Sequence, residues 1–423
     1  MPGIAYAFAR ARDDFPETTI VLQDIDAPSL DLQLRLTRSI LASRGAGGLR
    51  VEASAERPPA IEGADFVLTS FRPGGFPARH LDESIAIAHG IVGQETAGPG
   101  GFAMALRSIP IVMDVAGEIR KVAAPGCLLL NYTNPVQVVT EAVTRYEPDV
   151  PFLGLCDQTA GEVGFLARLL GVDPRDVEID TSGTNHMTFT RAVRANGRDV
   201  TERVWDRLDG IRREELEDDY WWRVVRLFRV LRVIPSGYME YFFFHDEVLT
   251  EMRAAGRTRA EEVMEQLPEV LESYRREADG SDPHPVMVRA SDQHGDFAVS
   301  IMSVANAARE GRFILNVRNG GAVTDLPEDA AVEVPCRLMG RLAQPIAQGP
   351  LPAIVAGLVR QVAEHARLTA EAAVTGDLEI AVRAMVAHPL VRSVATAERL
   401  VDAYLEAHAA HLPQFARVAN RPP

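Results

Sequence analysis

Residues 127–157 read CLLLNYTNPVQVVTEAVTRYEPDVPFLGLCD and decide the fold class of this chain. The apolar runs CLLLN and PFLGL are typical of buried strands, and VQVVTEAVTRY between them has the spacing of an amphipathic helix. A strand, a helix and a second strand in this order form a βαβ unit, whose two strands are parallel. The stretch therefore predicts an α/β protein.

Strands and helices alternate in the same way before this stretch. Strands are predicted at 18–26 (TTIVLQDID) and 64–70 (ADFVLTS), and helices at 4–11, 29–43 and 100–123. The sequence thus predicts a Rossmann-like, doubly wound and mostly parallel sheet, in which ligands bind at the carboxyl ends of the strands. The polar residues at the predicted strand ends are Asp24, Ser70, Asn131 and Cys156.

The second half of the chain has a different pattern. Long helical segments follow residue 200, among them EELEDDYWWRVVRLFRVL and LPAIVAGLVRQVAEHARLTAEAAV. We therefore expect two domains. Residues 1–185 are predicted to form a Rossmann-like, dinucleotide-binding domain. Residues 186–423 are predicted to form a second, mixed α+β and mainly helical domain for substrate, metal and subunit contacts, as in the architecture of lactate and malate dehydrogenases.

The composition excludes several classes of protein. The 423 residues include 44 Lys and Arg against 59 Asp and Glu, and the net charge of −15 argues against nucleic-acid or anionic-membrane partners. No apolar run reaches the roughly 18 residues that a membrane span needs. The cysteines Cys127, Cys156 and Cys336 lie far apart, so they form no disulfide framework, and we expect a reducing, cytoplasmic compartment.

Cys156 and His186 are candidates for a metal site. Each follows a predicted strand beside polar residues, in GLCDQ and SGTNHMTF. A thiolate and an imidazole would leave coordination positions open for substrate oxygens and water. The alternative for Cys156 is packing in the core. Asp157, next in sequence, could bind the metal or act as a general acid.

Two tyrosines in IPSGYMEYFFFHDEV, Tyr238 and Tyr241, are candidates for a catalytic base. A tyrosine near a cation can lose its proton near neutral pH. Aromatic packing in the core explains Tyr241 better than Tyr238, because Tyr241 precedes three phenylalanines. Asp24 directly follows IVLQ, as does the acid that binds the ribose in dinucleotide-binding sheets, but no Gly-x-Gly-x-x-Gly turn precedes it.

The loops carry further candidates for binding. Backbone amides in GIVGQETAGPGG, where a helix begins, suit a phosphate or carboxylate, although a glycine-rich connection explains the glycines equally well. The amide of Asn131 could orient sugar hydroxyls or a nicotinamide. Arg72, Arg79 and Arg289 are candidates for bidentate bonds to an anionic substrate. His294, within the polar cluster DQHGD, receives no role.

Taken in order, these segments resemble glycoside hydrolase family 4 over residues 17–340, and the combination of GQETAGPGG with NYTNP is highly specific. That family comprises 6-phospho-glycosidases and related α-glycosidases that use NAD and a divalent metal such as Mn2+. The segments that carry the resemblance are FVLTSFRPGGFPARHLDESIAIAHGIVGQETAGPGGFAMALRSIP, LLLNYTNPVQVVTEA, GLCD, GTNHMTF, IPSGYMEYFFF and FILNVRNGGAVTDLPEDAAVEVP.

The resemblance implies a redox mechanism, in which NAD oxidises C3 of the sugar, a base removes the C2 proton and the C1–O bond is eliminated. It implies metal ligation by Cys156 and His186, C2 deprotonation by Tyr238 with Tyr241 as second choice, and protonation of the leaving oxygen by Asp157. The other roles it implies are NAD binding by Asp24, Ser70 and Asn131, and substrate binding by Arg72, Asn131, Asn185 and Arg289.

The Cys-Asp pair resembles the 6-phospho-α-glucosidase branch, so the expected substrate is a 6-phosphorylated α-glucoside. Alternatives are a 6-phospho-β-glucosidase, an α-galactosidase or an α-glucuronidase of the family, an NAD-dependent sugar or hydroxy-acid dehydrogenase, and a non-catalytic member. Family members begin with a strand and a glycine-rich loop that would precede Pro2, so the resemblance implies an incomplete NAD-binding domain. RASDQHGDFAV stands where many members carry an Arg-Gly-Gly stretch. We expect a homodimer or homotetramer.

Overall fold

The computed structural model describes residues 2–281 and 291–416. The strands are β1 (Thr19–Gln23), β2 (Arg50–Ser54), β3 (Phe66–Thr69), β4 (Leu128–Asn131), β5 (Phe152–Gly154), β6 (Val177–Thr184), β7 (Met187–Ala195), β8 (Arg198–Asp199), β9 (Ile234–Pro235), β10 (Glu310–Arg318), β11 (Ala331–Met339) and β12 (Leu342–Pro345). The helices are α1 (Pro2–Arg10), α2 (Ala27–Ser43), α3 (Arg57–Ile61), α4 (Gly75–Ala88), α5 (Pro99–Val122), α6 (Val136–Tyr146), α7 (Gln158–Leu170), α8 (Thr201–Gly210), α9 (Asp219–Leu231), α10 (Glu240–Phe243), α11 (His245–Ala255), α12 (Arg259–Ala278), α13 (Ser291–Asn306), α14 (Ala353–Thr375), α15 (Leu378–Ala387) and α16 (Val394–Ala407).

The strands form two sheets. A large sheet of ten strands has the order β3-β4-β5-β10-β11-β6-β7-β8, with β12 beside β11 and β9 beside β7. In this sheet β3, β4 and β5 are parallel, as the βαβ pattern predicts. β1 and β2 pair in parallel with each other in a separate sheet of two strands. The predicted α/β class with parallel strands is confirmed.

The large sheet continues beyond its parallel part in antiparallel strands. β5 pairs with β10, β10 with β11, β11 with β6, and β6 with β7, all in antiparallel register. The mainly helical pattern of the sequence after residue 200 did not predict β10 and β11 as part of this sheet. These two strands pair with β5 and β6, which come from the first half of the chain. The proposed domain division at residue 185 stays a prediction, and so do the strand and loop expected before Pro2.

Strand β4 explains why a continuous apolar run decides the fold. Leu128 and Leu130 pack into the core cluster on one face of the sheet, together with residues of β5, β10 and α13. Leu129 packs on the opposite face among residues of α5, α6 and α16. A parallel strand covered by helices on both faces needs apolar side chains at every position rather than at alternate ones.

The longest helices among the described residues pack within the molecule. α5 has 24 residues, and its apolar sequence is interrupted by the charged residues Arg107, Asp114, Glu118, Arg120 and Lys121. α14 has 23 residues and contributes Val355 and Val359 to the core. Across residues 2–281 and 291–416, no helix has both the length and the hydropathy needed to cross a membrane.

Candidate active site

The parallel strands bring polar residues to one edge of the large sheet. Thr69 at the end of β3 pairs with Asn131 at the end of β4, and Asn131 pairs with Gly154 at the end of β5. Ser70 and Cys156 follow their strands by one and two residues, so they lie at this edge as the sequence predicts. This edge is the ligand-binding side of an α/β sheet.

The side chains of Cys156 and His186 face each other, with Sγ 3.4 Å from Nε2. His186 occupies a two-residue turn between β6 and β7, where Thr184 pairs with Met187. Its φ is +64°, a left-handed conformation that favours glycine, so the turn is strained to place an imidazole beside the thiol. Within the described residues, no cluster of three or more His, Cys, Asp or Glu side chains forms a metal site.

A chain of hydrogen bonds fixes the tautomer of His186. Gln94 Oε1 accepts the backbone N–H groups of Thr96 and Ala97 as well as the Thr96 hydroxyl proton, at 2.9 Å from Oγ1. The Thr96 oxygen is then left to accept Nδ1–H of His186 at 2.9 Å. Nε2 therefore carries a lone pair that points toward the Cys156 sulfur. Burial also lowers the pKa of His186 to about 3, which keeps the ring neutral.

Buried amides and a carboxylate support the same turn from behind. Glu333 on β11 is fully buried, and its Oε1 accepts hydrogen bonds from the side-chain amides of Asn185 and Asn316, at 3.2 and 3.1 Å. Gln137 Oε1 accepts the backbone N–H of Asn185 at 3.0 Å. Burial raises the pKa of Glu333 to about 7. These contacts hold the Asn185–His186 turn in its strained form.

Tyr238 lies directly on the metal-ligand candidates. Its ring stacks on the His186 imidazole with a centroid distance of 3.8 Å and an interplanar angle of 16°. Tyr241 meets the Tyr238 ring edge to face at 5.7 Å. Burial raises the pKa of Tyr238 well above its usual value. Gly237 permits this placement, because a Cβ there would come 1.9 Å from the Tyr220 hydroxyl oxygen.

The two arginines of the RPGGFPAR segment, Arg72 in the loop before α4 and Arg79 on α4, bind a buried carboxylate. Arg72 pairs with Glu95 Oε2, and Arg79 Nη1 lies 3.0 Å from Glu95 Oε1. Arg79 also donates from Nε to Glu83 at 2.7 Å. Glu95 belongs to the GQET segment, so the ion pairs join this segment to the RPGGFPAR segment. Arg72 keeps about a fifth of its side chain exposed, whereas Arg79 is buried.

The glycines before and within the start of α5 allow close packing. A Cβ on Gly101 would lie 2.4 Å from the Thr96 carbonyl oxygen, and one on Gly93 would lie 2.5 Å from the Glu83 oxygen. Both have negative φ values, so positive φ does not explain them. Backbone contact with Thr96 explains Gly101, and this contact holds the residue that orients His186.

Asp157 contacts a histidine from the far end of the chain. Its Oδ2 lies 3.0 Å from Nδ1 of His294 on α13. The Tyr132 hydroxyl donates to the His294 carbonyl oxygen at 2.9 Å, and the two rings lie 5.3 Å apart. Asp157 therefore lies between the buried Cys156 and the more exposed His294, at the mouth of the site.

Sequence comparison identifies the family of the chain. A model of the family 4 glycosyl hydrolases matches residues 1–172, and a model of the family 4 glycosyl hydrolase C-terminal domain matches residues 181–391. The chain belongs to glycosyl hydrolase family 4. The resemblance seen in the motifs is thus confirmed, and it covers more of the chain than the motifs alone.

Relatives of this family 4 protein include both anomeric classes. A probable 6-phospho-beta-glucosidase of Bacillus subtilis is 34% identical, over 98% of this chain and 95% of the relative. A crystal structure of the Thermotoga maritima 6-phospho-beta-glucosidase with manganese, NAD+ and glucose-6-phosphate has a TM-score of 0.87 at 27% identity, over 97% of this chain and 96% of that one. A 6-phospho-alpha-glucosidase from gut microorganisms, in complex with NAD and Mn2+, has a TM-score of 0.87 at 26% identity, over 98% and 96% of the two chains.

The predicted dehydrogenase-like architecture is also confirmed. Lactate dehydrogenase of Eimeria maxima superimposes with a TM-score of 0.54 at 16% identity, over 89% of this chain and 93% of that one. Such low identity establishes a shared fold alone. The family 4 chain therefore combines a dehydrogenase-type sheet with the histidine, cysteine and tyrosine cluster described above.

The remaining candidates lie apart from this cluster or are engaged elsewhere. The Asn131 amide is buried, accepts hydrogen bonds from Thr69 and Thr133, and donates to the Thr133 carbonyl at 2.9 Å. Ser70 is exposed at the sheet edge. Asp24 is exposed after β1, in the smaller sheet. Arg289 falls outside the described residues. The binding roles of these four residues stay predictions.

Sequence reasoning missed the residues that hold the site together. Thr96 and Glu333 act on the His186 turn from positions 90 residues before it and 147 residues after it. His294 reaches Asp157 across 137 residues. The sequence signal for Thr96 was its place in the glycine-rich GQETAGPGG segment, and for His294 the polar cluster DQHGD. Glu333 had no signal beyond a charged residue within an apolar strand.

Proposed function

We propose that this protein is a glycosidase that requires NAD and Mn2+, or another divalent metal, and cleaves 6-phosphorylated glucosides. The observation that carries the proposal is the pairing of the Cys156 thiol with the lone pair of His186 Nε2, 3.4 Å apart, beneath the ring of Tyr238. A hydrolase that used two carboxylates alone would not need this cluster.

The donor set fits a divalent metal. Cysteine sulfur and imidazole nitrogen both bind divalent first-row metal ions. The ring of His186 is held neutral in the tautomer that leaves Nε2 free. Two protein ligands leave several positions for substrate oxygens. NAD, when bound, would supply hydride transfer at C3, and the metal would polarise the sugar oxygens.

The side chains around this pair have complementary roles. In the proposal the ionised Tyr238 oxygen takes the C2 proton, and a divalent cation bound beside it would lower the raised pKa of this buried phenol so that it can ionise. The stacking of Tyr238 on His186 favours it over Tyr241 as this base. Asp157 donates a proton to the leaving oxygen. Arg72 and Arg289 bind the phosphate, and Asn131 and Asn185 bind hydroxyls of the substrate. NAD is bound by Asp24, Ser70 and Asn131.

The anomer is the finer part of the proposal. The Cys156–Asp157 pair resembles that of the 6-phospho-α-glucosidase branch, so a 6-phospho-α-glucoside is the favoured substrate. The relative at 34% identity is instead a probable 6-phospho-beta-glucosidase, so a 6-phospho-β-glucosidase is the first alternative. The galactoside and glucuronide alternatives change the sugar but keep the same residues in the same roles.

The test is release of nitrophenol from α- and β-linked nitrophenyl glucosides and their 6-phosphates, with NAD+ and with Mn2+ or a chelator. We expect turnover of a 6-phosphate that the chelator abolishes, and loss of turnover in Cys156→Ser and His186→Ala. Cys127→Ser makes the same chemical change at a buried cysteine before β4 and should keep activity. Full activity in both site variants would contradict the proposal, and steady NADH accumulation would indicate a dehydrogenase.

The setting of the enzyme is proposed on separate grounds. Cys127, Cys156 and Cys336 are all free and buried, which suits a reducing compartment such as the cytoplasm. The proposed partner is the small glycoside itself. A homodimer or homotetramer is proposed for the assembly, and size-exclusion chromatography with light scattering would test it.

A further inference from the structure

The contact between His294 and Asp157 has no part in the proposed chemistry. His294 Nδ1 lies 3.0 Å from Asp157 Oδ2. We propose that His294 is a positioning residue, which holds one carboxylate oxygen of Asp157 so that the other is aimed at the leaving oxygen of the substrate. The inference rests on the proposed function, in which Asp157 is the acid.

The carboxylate of Asp157 is free for this contact because it does not cap its own helix. Asp157 is the residue before α7, yet its side chain accepts no hydrogen bond from the helix. Asp218 and Asp377 occupy the same position before α9 and α15, and each accepts a backbone N–H of its helix. Aspartate at this position normally caps. Asp157 is instead turned toward α13.

Helix α13 is anchored so that His294 stays over Asp157. A Cβ on Gly295 would lie 2.1 Å from the Gly3 carbonyl oxygen, so the backbones of α13 and α1 touch at this point. Asp296 forms an ion pair with Arg10 of α1. On the other side, the Tyr132 hydroxyl donates to the His294 carbonyl. The three consecutive residues His294, Gly295 and Asp296 thus each have a separate contact.

The exposure of these side chains indicates which step His294 serves. Cys156 and His186 are 9% and 7% exposed. The side chains of Asp157 and His294 are 23% and 48% exposed, so they lie toward the solvent, where a leaving group departs. His294 should therefore affect proton donation to the leaving group and leave the C2 proton step, which belongs to Tyr238, unchanged.

The test compares two leaving groups. Nitrophenol leaves readily without a proton, whereas methanol requires one, so methyl and p-nitrophenyl 6-phosphoglucosides separate acid catalysis from the other steps. We expect His294→Ala to lower kcat for the methyl glycoside by about 10- to 100-fold, and for the nitrophenyl glycoside by less than about threefold. His294→Asn, whose amide nitrogen can replace Nδ1, should restore most of the loss.

The His80→Ala variant and the rescue by His294→Asn separate this positioning role from a merely structural role. His80→Ala removes a partly exposed imidazole whose partners are Thr258 and Glu261 rather than Asp157. This variant should leave the ratio of the kcat values for the methyl and nitrophenyl glycosides unchanged. Equal losses for both leaving groups in His294→Ala, or no rescue by His294→Asn, would overturn the inference.

A second measurement needs no turnover. Nitrogen-15 spectra of histidine-labelled protein should show the His294 ring signals shift in Asp157→Ala. A wild type that cleaves neither substrate would contradict the proposed function. The spectra would still show whether His294 contacts Asp157. Unchanged His294 signals would overturn the positioning role.

Discussion

His186 is the residue whose backbone is most informative. Its φ of +64° is costly for any side chain with a Cβ, and the surrounding hydrogen bonds maintain it. Because glycine adopts this conformation freely, His186→Gly should be more stable than His186→Ala by about 1 kcal/mol. Urea unfolding of the two variants measures the difference. A His186→Ala variant as stable as His186→Gly would mean that the turn relaxes.

Thr96 should control metal affinity without touching the metal. Thr96→Val keeps the shape but removes the acceptor for Nδ1–H of His186 at 2.9 Å. The ring is then free to turn or to change tautomer, and affinity for Mn2+ should fall about 10- to 100-fold. Isothermal titration calorimetry measures this, with Thr96→Ser as the control that retains the hydroxyl. Unchanged Mn2+ affinity in Thr96→Val would show that Thr96 does not orient His186 for metal binding.

Some residues of the site can be predicted from the local sequence pattern, and others cannot. The ends of strands are visible in sequence, so Cys156, Ser70 and Asn131 were placed correctly at the sheet edge. His186 was associated with Cys156 by its polar surroundings and by the resemblance to family 4, because no local pattern links the two residues. The contacts of Thr96 and His294 depend on chain segments that meet only after folding, and no periodicity encodes such meetings.

At the scale of an element, helix α5 contains two glycines with opposite expected behaviour. A Cβ on Gly101 would lie 2.4 Å from the Thr96 oxygen, whereas one on Gly117 would meet no atom within 4 Å. Gly101→Ala should therefore destabilise the protein by about 1–3 kcal/mol and weaken metal binding through Thr96.

Gly117→Ala, in the same helix, should stabilise the protein by about 0.5–1 kcal/mol, because alanine is the better helix former. Thermal unfolding of both variants gives the comparison. If both alanines shifted the melting temperature in the same direction, the close packing of Gly101 on Thr96 would be refuted.

The elements themselves were partly predictable. Helix α6 and strands β4 and β5 were expected within a residue or two of their observed bounds, because local apolar patterns define them. β10 and β11 were not expected as part of the sheet. They are long antiparallel strands whose pairing with β5 and β6 depends on partners 150 or more residues away along the chain.

At the scale of the whole molecule, buried carboxyls make stability depend on pH. Burial raises the pKa of Glu162 from its usual 4.5 to about 8. Between these values the folded state keeps a proton that the unfolded chain has released, so the contribution of Glu162 to stability falls as pH rises from 5 to 8. The slope is at most about 1.4 kcal/mol per pH unit for this group.

Glu162→Gln should reduce this slope, because an amide does not ionise. Glu202→Gln, at an exposed position on α8, is the matched control and should leave the slope unchanged. Urea unfolding at several pH values, without metal, provides the data. A slope that is the same in the wild type and in Glu162→Gln would contradict the burial of a protonated Glu162.

In the proposed mechanism, C2 of the sugar loses its proton during cleavage. The most direct measurement is hydrolysis of the nitrophenyl 6-phosphoglucosides in D2O, with NAD+ and Mn2+, followed by mass spectrometry and NMR of the sugar phosphate. The account predicts deuterium at C2 of the product. A released sugar phosphate with only hydrogen at C2 would contradict it.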